Sequence, residues 1–336
     1  MGDGHCSHGG SDLRIHDVLV DRTEFSAFTE SKEMRTVYLN GQFVPEAEAK
    51  LSIYDLSIMQ AAAAFEMTRS FNGDHFKLRE HLMRLMDSCQ SLQIPCEQTI
   101  AEIETICELV SNMNDHGDGE EHRLLIVASP GCAPMYKDLA GVIPHPFLYI
   151  ADFPLRYTVK GFSKYFTDGV HCVTSKVHQV PDACIPSSAK HRSRLHFHLA
   201  QMQAPAGTWP LMTDGNDDYE CYTEAPGANI LFKWKWNSRI MSIEENCLPG
   251  ISMETVKELI NSEQCSLGVY SPDHSQIEEM WLTGTPFCMV PVVSLDGKPI
   301  GDGTPGPVFK QTLAKWSAMV GVDIQGQIAQ WDSQHE

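Results

Sequence analysis

Five short segments of this chain carry residues whose types and spacing could do chemistry. Lys190 stands in Ser187-Ser188-Ala189-Lys190-His191, among small residues just ahead of a helical stretch. In a dry, confined place a lysine loses its proton near neutrality and attacks carbonyls as a free amine; at an open helix start it is a solvated cation. Glu224 lies in Tyr222-Thr223-Glu224-Ala225-Pro226-Gly227-Ala228-Asn229, before the apolar Ile230-Leu231-Phe232. A carboxylate at a strand edge can keep a pyridine-type nitrogen protonated and make the ring an electron sink, or it is an ordinary loop glutamate. Leu248-Pro249-Gly250-Ile251-Ser252 opens a helix. Free N–H groups at a helix start bind phosphate without any special side chain, and simple capping by Ser252 is the plainer alternative. Arg84, one residue before a core leucine in Arg79-Glu80-His81-Leu82-Met83-Arg84-Leu85, either reaches inward as a bidentate phosphate donor or points to solvent. Trp281-Leu282-Thr283-Gly284-Thr285-Pro286 ends an apolar run in hydroxyl and N–H donors suited to an anion, or in a plain turn.

The surrounding text supplies elements to position them. Val37 to Val44 reads as a hairpin about Asn40-Gly41, a strong two-residue turn signal. Phe65 to Phe71 reads as a strand that Asn72-Gly73 turns back. Leu82, Leu85, Met86 and Cys89 recur at helical spacing, as do Ile103, Ile106 and Val110 in a second helix over 100–112. Arg123 to Ala128 and Phe147 to Asp152 read as buried strands. Beyond 153–169, read as a linker, come a strand at 170–174, helices at 195–203 and 252–260, strands at 230–234, 239–242 and 280–283, and a final helix at 310–320. The expected organisation is a polar, partly disordered leader over 1–35, a small α+β domain over 36–152, the linker, and a larger domain over 170–336.

At 336 residues and 42% hydrophobic content the chain has enough apolar material for two cores. A net charge of −19 repels phosphate backbones and anionic lipids, so nucleic acid and membrane surfaces are not expected partners. An anion would need a local cluster of arginines and backbone donors, which the five segments could provide. The 11 cysteines are odd in number and include no C-x-x-C pair, which fits reduced thiols in a cytoplasmic protein. No stretch has the ~20 apolar residues a spanning helix needs, and the Gly/His-rich start has neither a secretory nor a transit-peptide pattern. Gly301-Asp302-Gly303-Thr304-Pro305-Gly306 spells G-x-G-x-x-G, but Pro305 lacks an N–H donor and the segment sits in no clear strand-to-helix unit, so it reads as a turn. His196 with His198, and His5, Cys6 and His8, lack a completing ligand set, so no metal site is expected from them.

Taken together, in order and spacing, the five segments resemble the class IV, or fold type IV, aminotransferases, which include branched-chain aminotransferases, D-amino-acid aminotransferases and aminodeoxychorismate lyase. Tyr38-Leu39-Asn40-Gly41, Phe65-Glu66-Met67-Thr68-Arg69 and Asp296-Gly297-Lys298-Pro299-Ile300-Gly301 match the family's first hairpin, its Phe-Glu strand and its C-terminal turn. The resemblance runs from about Val37 to Val322. It implies an α+β fold with a small α+β domain and a larger β-rich one, pyridoxal 5′-phosphate between them, and a homodimer. It also implies roles: Lys190 as the Schiff-base and proton-shuttling lysine, Glu224 at the pyridine nitrogen, and Arg84, Ile251, Ser252 and Thr285 at the phosphate. Phe65, Arg69 and Arg123 fall at the substrate, an amino acid exchanging its amino group with a 2-keto acid. Several positions depart from the family pattern. Met67 replaces a common glycine, Leu195 replaces the tyrosine usual in branched-chain enzymes, and Ser129-Pro130-Gly131 lacks the arginine of D-amino-acid enzymes, while Arg69 and Arg123 match branched-chain positions. A branched-chain-like substrate is favoured. D-amino-acid transamination, β-elimination of the lyase type and a non-catalytic binding protein on the same fold are the alternatives.

Overall fold

Asn40 and Gly41 both take positive φ, 47° and 87°, as a two-residue hairpin turn requires. Strands β1 (Thr36–Leu39) and β2 (Gln42–Pro45) pair across them. The computed structural model describes residues 35–117, 119–216, 220–236, 239–260, 265–267 and 274–334; the expected leader lies, apart from Arg35, outside the described residues.

A one-turn helix, α1 (Leu56–Met59), is capped by the Asp55 carboxylate, which accepts from the Ser57 N–H. Strand β3 (Ala64–Met67) follows. The strand expected to run unbroken to Phe71 stops after Met67, and a separate short ribbon, β4 (Ser70–Phe71) and β5 (Asp74–His75), turns at Asn72-Gly73. Helices α2 (Leu78–Ser91) and α3 (Ile100–Met113) come next, the second opened by a reciprocal Thr99–Glu102 capping box. Strands β6 (His122–Ser129) and β7 (Phe147–Pro154) complete an antiparallel sheet in the order β2-β1-β7-β6-β3.

Alternation along these strands sorts their side chains. Ala64 of β3 and Leu124, Ile126 and Ala128 of β6 pack against Leu82, Leu85, Ile103 and Val110 of the two helices. Their neighbours Phe65, Met67, Leu125 and Val127 cluster on the opposite face.

The 153–169 stretch is folded rather than extended. β7 runs through Pro154, and short helices α4 (Arg156–Val159) and α5 (Ser163–Thr167) bury Val159 and Phe166 in the second core. That core lies on a mixed sheet. Strands β8 (Val170–Thr174) and β9 (Thr208–Leu211) flank helix α6 (Leu195–Gln203). After them come β10 (Glu224–Ala225), β11 (Ala228–Trp234), β12 (Ile240–Ser242), helix α7 (Ile251–Ile260), β13 (Cys265–Leu267), β14 (Ile277–Gly284), β15 (Cys288–Leu295) and β16 (Lys298–Pro299). The main path is β13-β12-β11-β14-β15-β8-β9. Helix α8 (Pro307–Val320) is not the last. Gly321 ends it in the left-handed conformation at φ 68°, and α9 (Ile324–Ser333) follows from an Asp323 cap.

A buried polar network joins the two sheets. Arg69 donates to the Pro286 carbonyl at 3.1 Å and to Gln327 Oε1 at 3.0 Å, with its guanidinium 3.8 Å from the Phe71 ring centroid. Gln327 Nε2 donates onward to Glu121 Oε1 at 3.0 Å, and Glu121 also accepts from Ser70 Oγ and the Asn72 N–H. Gln327 thus satisfies one buried cation and one buried anion at once. Gln327→Ala is expected to lower unfolding stability by about 1–3 kcal/mol, the usual cost of stranding buried polar partners. A urea midpoint unchanged from wild type would count against the network.

Candidate functional site

Lys190 is held in place by its backbone. Its N–H donates to Ser88 Oγ on α2 at 2.9 Å, and its carbonyl accepts from the Phe65 N–H at 3.0 Å. His191 bridges Ala64, and the Arg192 N–H reaches the Ala63 carbonyl at 3.0 Å. The segment therefore runs along β3 as a strap and delivers the Lys190 amine to the face that carries Phe65. Nζ stands 4.9 Å from the Phe65 ring centroid. Burial first, then the positive charge of Arg84, brings the Lys190 amine down to about 7, against the pull of Glu66 and Glu224. A substantial fraction is then the nucleophilic free base at neutral pH.

Lys190 is the meeting point of two adjoining cavities. One brings together Arg84, Lys190, Glu224, Ile251, Ser252 and Thr285, six residues that come from widely separated parts of the sequence. Glu224 opens β10, next to β11. Burial pushes its carboxyl up to about 7, although Lys190 and Arg194 oppose this, and Gln179 Nε2 donates to its Oε1 at 3.0 Å. At the far end Gly250 precedes α7. A Cβ there would stand 1.9 Å from Asn229 Oδ1, so only glycine fits. Asn229 Nδ2 donates to the Leu248 carbonyl at 2.7 Å and fixes the turn. The first N–H groups of α7, on Ile251 and Ser252, have no acceptor within the helix, and the helix dipole adds positive potential there.

Arg84 reaches this turn from α2. Its Nη1 donates to the Pro249 carbonyl at 2.7 Å, while Nε and Nη2 form a fork on the two Glu66 oxygens at 2.7 and 2.9 Å. His81 adds a third contact to Glu66 at 2.7 Å. Burial alone would raise Glu66, but Arg84 and His81 overcome it and hold the carboxyl well below the usual range. Three of the five guanidinium N–H donors are committed, which leaves two for a ligand. Thr283, 1% exposed, lines the same cavity with a hydroxyl that has no partner among the described residues.

The second cavity carries Phe65, Met67 and Arg123 on one side and Trp209 and Phe287 on the other, with Arg192 and Arg194 beside Lys190. Arg123 is buried, and its Nε and Nη1 have no acceptor among the described residues. Burial, then the nearby charge of Arg69, lowers it to about 9, so it still favours a carboxylate. Arg69 itself lines neither cavity. A continuous strand would have put residues 65, 67 and 69 on one face; the break after Met67 turns Arg69 into the inter-sheet network instead. Sequence reasoning passed over Glu66, Gln179, Arg192 and Arg194. Glu66 had a signal, because a carboxylate inside an apolar strand demands a partner. Arg192 and Arg194, two and four residues beyond Lys190, could also have been weighed. Gln179, in a loop 45 residues from Glu224, carried no signal.

A confined free amine, a buried acid and a helix start with uncommitted N–H groups surround one cavity, with a cationic pocket opening beside the amine. This is the equipment of an enzyme that handles amino groups. The chain belongs to the amino-transferase class IV family, whose sequence model matches residues 63–295; it is an aminotransferase, and the family works with pyridoxal phosphate. It is 28% identical over 299 residues to a Methanocaldococcus jannaschii protein provisionally named a branched-chain-amino-acid aminotransferase, covering 84% of this chain and 98% of that one. It is 26% identical over 280 residues to the D-alanine aminotransferase of Bacillus licheniformis, covering 82% and 93%. The fold matches the crystal structure of the Escherichia coli branched-chain amino acid aminotransferase with a TM-score of 0.74 at 22% identity, over 86% of this chain and 94% of that one. It also matches the branched-chain aminotransferase of the thermophilic archaeon Thermoproteus uzoniensis, solved with norvaline, with a TM-score of 0.72, 22% identity and coverage of 86% and 95%. The α+β architecture is thus fold type IV.

The raised Glu224 carboxyl gives a stability test. Its acid form is favoured in the fold, so its contribution is fully present below the unfolded value near 4.5 and is lost as pH rises through about 7. In cofactor-free protein, Glu224→Gln should therefore unfold at a higher temperature than wild type at pH 8 and gain nothing at pH 4. An equal shift at both values would contradict the assigned titration.

Proposed function

We propose that this chain transfers an amino group between a branched-chain-like amino acid and a 2-keto acid, with pyridoxal phosphate held at Lys190. The observation that carries this reading is the Lys190 amine, lowered to about 7, at the junction of an anion cradle and a cationic substrate pocket. The residues present fit the cofactor. Lys190 would hold its carbonyl end. Glu224 would keep the proton on its ring nitrogen. Arg84, Ile251, Ser252 and Thr285 would hold its phosphate. When bound, pyridoxal phosphate supplies a carbonyl that takes up the amino group and a ring that draws electrons from the substrate carbon. The chain's own share is acid–base work and positioning. Lys190 would be the base that takes the proton from the substrate α-carbon and the acid that gives it back. Phe65 closes one wall over the amine and limits water.

Arg123 is assigned to the substrate α-carboxylate because it lines the pocket and its buried Nε and Nη1 have no acceptor among the described residues. Phe65, Met67, Trp209 and Phe287 offer an apolar wall that suits an aliphatic side chain. Arg192 and Arg194 lie 4.2 and 5.8 Å from the Phe65 ring centroid; they favour a second carboxylate, as on a dicarboxylic keto-acid partner. Arg69, placed outside the pocket, is assigned to the junction between the sheets, through Pro286 and Gln327, rather than to binding substrate. The 36–152 portion would form one wall of the site and the 170–336 portion the cradle. Leu195, Leu199 and Met202 form an exposed apolar stripe at i, i+4 and i+7 on α6, which supports a homodimer. No described helix is long and apolar enough to cross a membrane.

The first test is the visible absorption spectrum of the purified protein as L- and then D-amino acids are added. A yellow band that bleaches with L-branched-chain substrates, and recovers with a keto acid, is expected. Pyruvate released without any keto acid would indicate a lyase instead. Lys190→Ala should lose both band and turnover, and retained transamination in that variant sinks the assignment. Arg123→Ala should raise KM about ten- to hundredfold, from roughly 1.5–3 kcal/mol of charge-assisted hydrogen bonding, with kcat changed far less. A normal KM would remove Arg123 from the substrate site.

A further inference from the structure

At the opposite end of β6 from Lys190, two histidines and an aspartate converge. His116 follows α3, His122 opens β6, and Asp152 faces them from β7. Asp152 Oδ2 accepts from His122 Nδ1 at 2.6 Å, and His116 Nε2 stands 3.3 Å from the same oxygen without hydrogen-bonding geometry. One ligand atom from each residue lies within 4.8 Å of the others. The rings of His116 and His122 are 4.8 Å apart between centroids. The Asp152 side chain is fully buried, that of His116 is 5% exposed, and Oδ1 of Asp152 has no hydrogen-bond partner among the described residues.

We propose that His116, His122 and Asp152 form a binding site for a divalent transition-metal cation of the zinc class. A buried carboxylate with an unsatisfied oxygen beside two close-packed imidazoles leaves negative charge poorly compensated. One cation bonded to both rings and the carboxylate satisfies all three groups. Two imidazoles and one carboxylate suit zinc, whose three-protein-ligand sites take water as the fourth ligand. His75 packs against His122 at 6.0 Å between ring centroids, but both its nitrogens are engaged, by Thr68 Oγ1 at 3.2 Å and Ser111 Oγ at 2.7 Å. It belongs to the wall of the site rather than to the ligand set.

The place is separate from the amino-group chemistry. Lys190 meets β3 at Ala64 and Phe65, opposite Ala128 and Val127. Ala128 and His122 lie toward opposite ends of β6, on the order of 20 Å apart along the strand. What the site does share is the junction between sheets. In the loop that joins His116 to His122, Glu120 pairs with Arg156, the Gly119 carbonyl accepts from Trp331 Nε1 at 3.2 Å, and Glu121 carries the link to Gln327 and Arg69. A metal that pins this loop stabilises the junction through simple linkage, so its role is structural.

Zn²⁺ itself is the probe. The full-length holoenzyme, stripped with chelator and then dialysed against limiting Zn²⁺, should retain one more equivalent than the His116→Gln variant. Saturating Zn²⁺ should raise its Tm by roughly 4 °C or more, and His116→Gln should lose that rise while keeping transaminase activity. X-ray absorption of the wild-type zinc protein should show nitrogen and oxygen neighbours only. Equal retention and equal Tm shifts in wild type and variant, no retained zinc in either, or sulfur bonded to the metal would each overturn the site. The absorption measurement needs no variant, so a misfolded His116→Gln does not remove the test.

Discussion

A lysine amine sits free near neutrality only where water is kept away and no unpaired carboxylate pulls a proton onto it. Around Lys190 both conditions depend on what is done with Glu66. This carboxylate lies inside an apolar strand, close enough to Lys190 to raise its pKa. The Arg84 fork and His81 claim its oxygens, and the Arg84 charge then acts on Lys190 in the lowering direction. One ion pair thus disarms an anion, places a guanidinium beside the amine, and ties α2 to the turn before α7 through the Pro249 carbonyl. The turn that opens α7 and the lysine amine share a single anchor.

Much of this arrangement could be read before any coordinates, because it rests on local rules. The Asn40-Gly41 hairpin, the helices over 78–91, 100–113 and 195–203, and the strands at 123–128 and 147–152 follow from turn chemistry and from 3.6- and 2-residue periods. The six residues of the anion and amine cavity were also visible, though only as a set. What stayed hidden depended on tertiary packing. Arg69 left its expected face because the chain quits the pairing with β6 just beyond Met67 and turns into the β4–β5 ribbon. Helix α9 escaped notice because Gly326 and three scattered glutamines dilute its apolar spacing. Ile324, Ile328 and Trp331 nonetheless reach the core at i, i+4 and i+7. Gln179 could not be found at all, since its only mark is contact with Glu224.

The buried Lys190 and Glu224 also show where local stability has been exchanged for chemistry. Each is displaced toward its neutral form by burial, so each makes the fold less stable than an apolar residue of the same shape would. The surroundings tolerate this because the strap carrying Lys190 is hydrogen-bonded on both edges, to Ser88 and to Phe65.

Phe65, Met67 and Arg123 project from the five-stranded sheet, whereas Glu224, Ile251, Ser252 and Thr285 belong to the other half of the molecule. The outward face of β3 and β6 is therefore encoded apart from the helix start and the buried acid. Substitutions at Met67 or Arg123 can reshape the pocket while Glu66, on the other face of β3, keeps its hold on Arg84. A scaffold built this way is free to diversify in diet without reinventing its chemistry, and Met67, which lines the pocket, is one position through which it can do so.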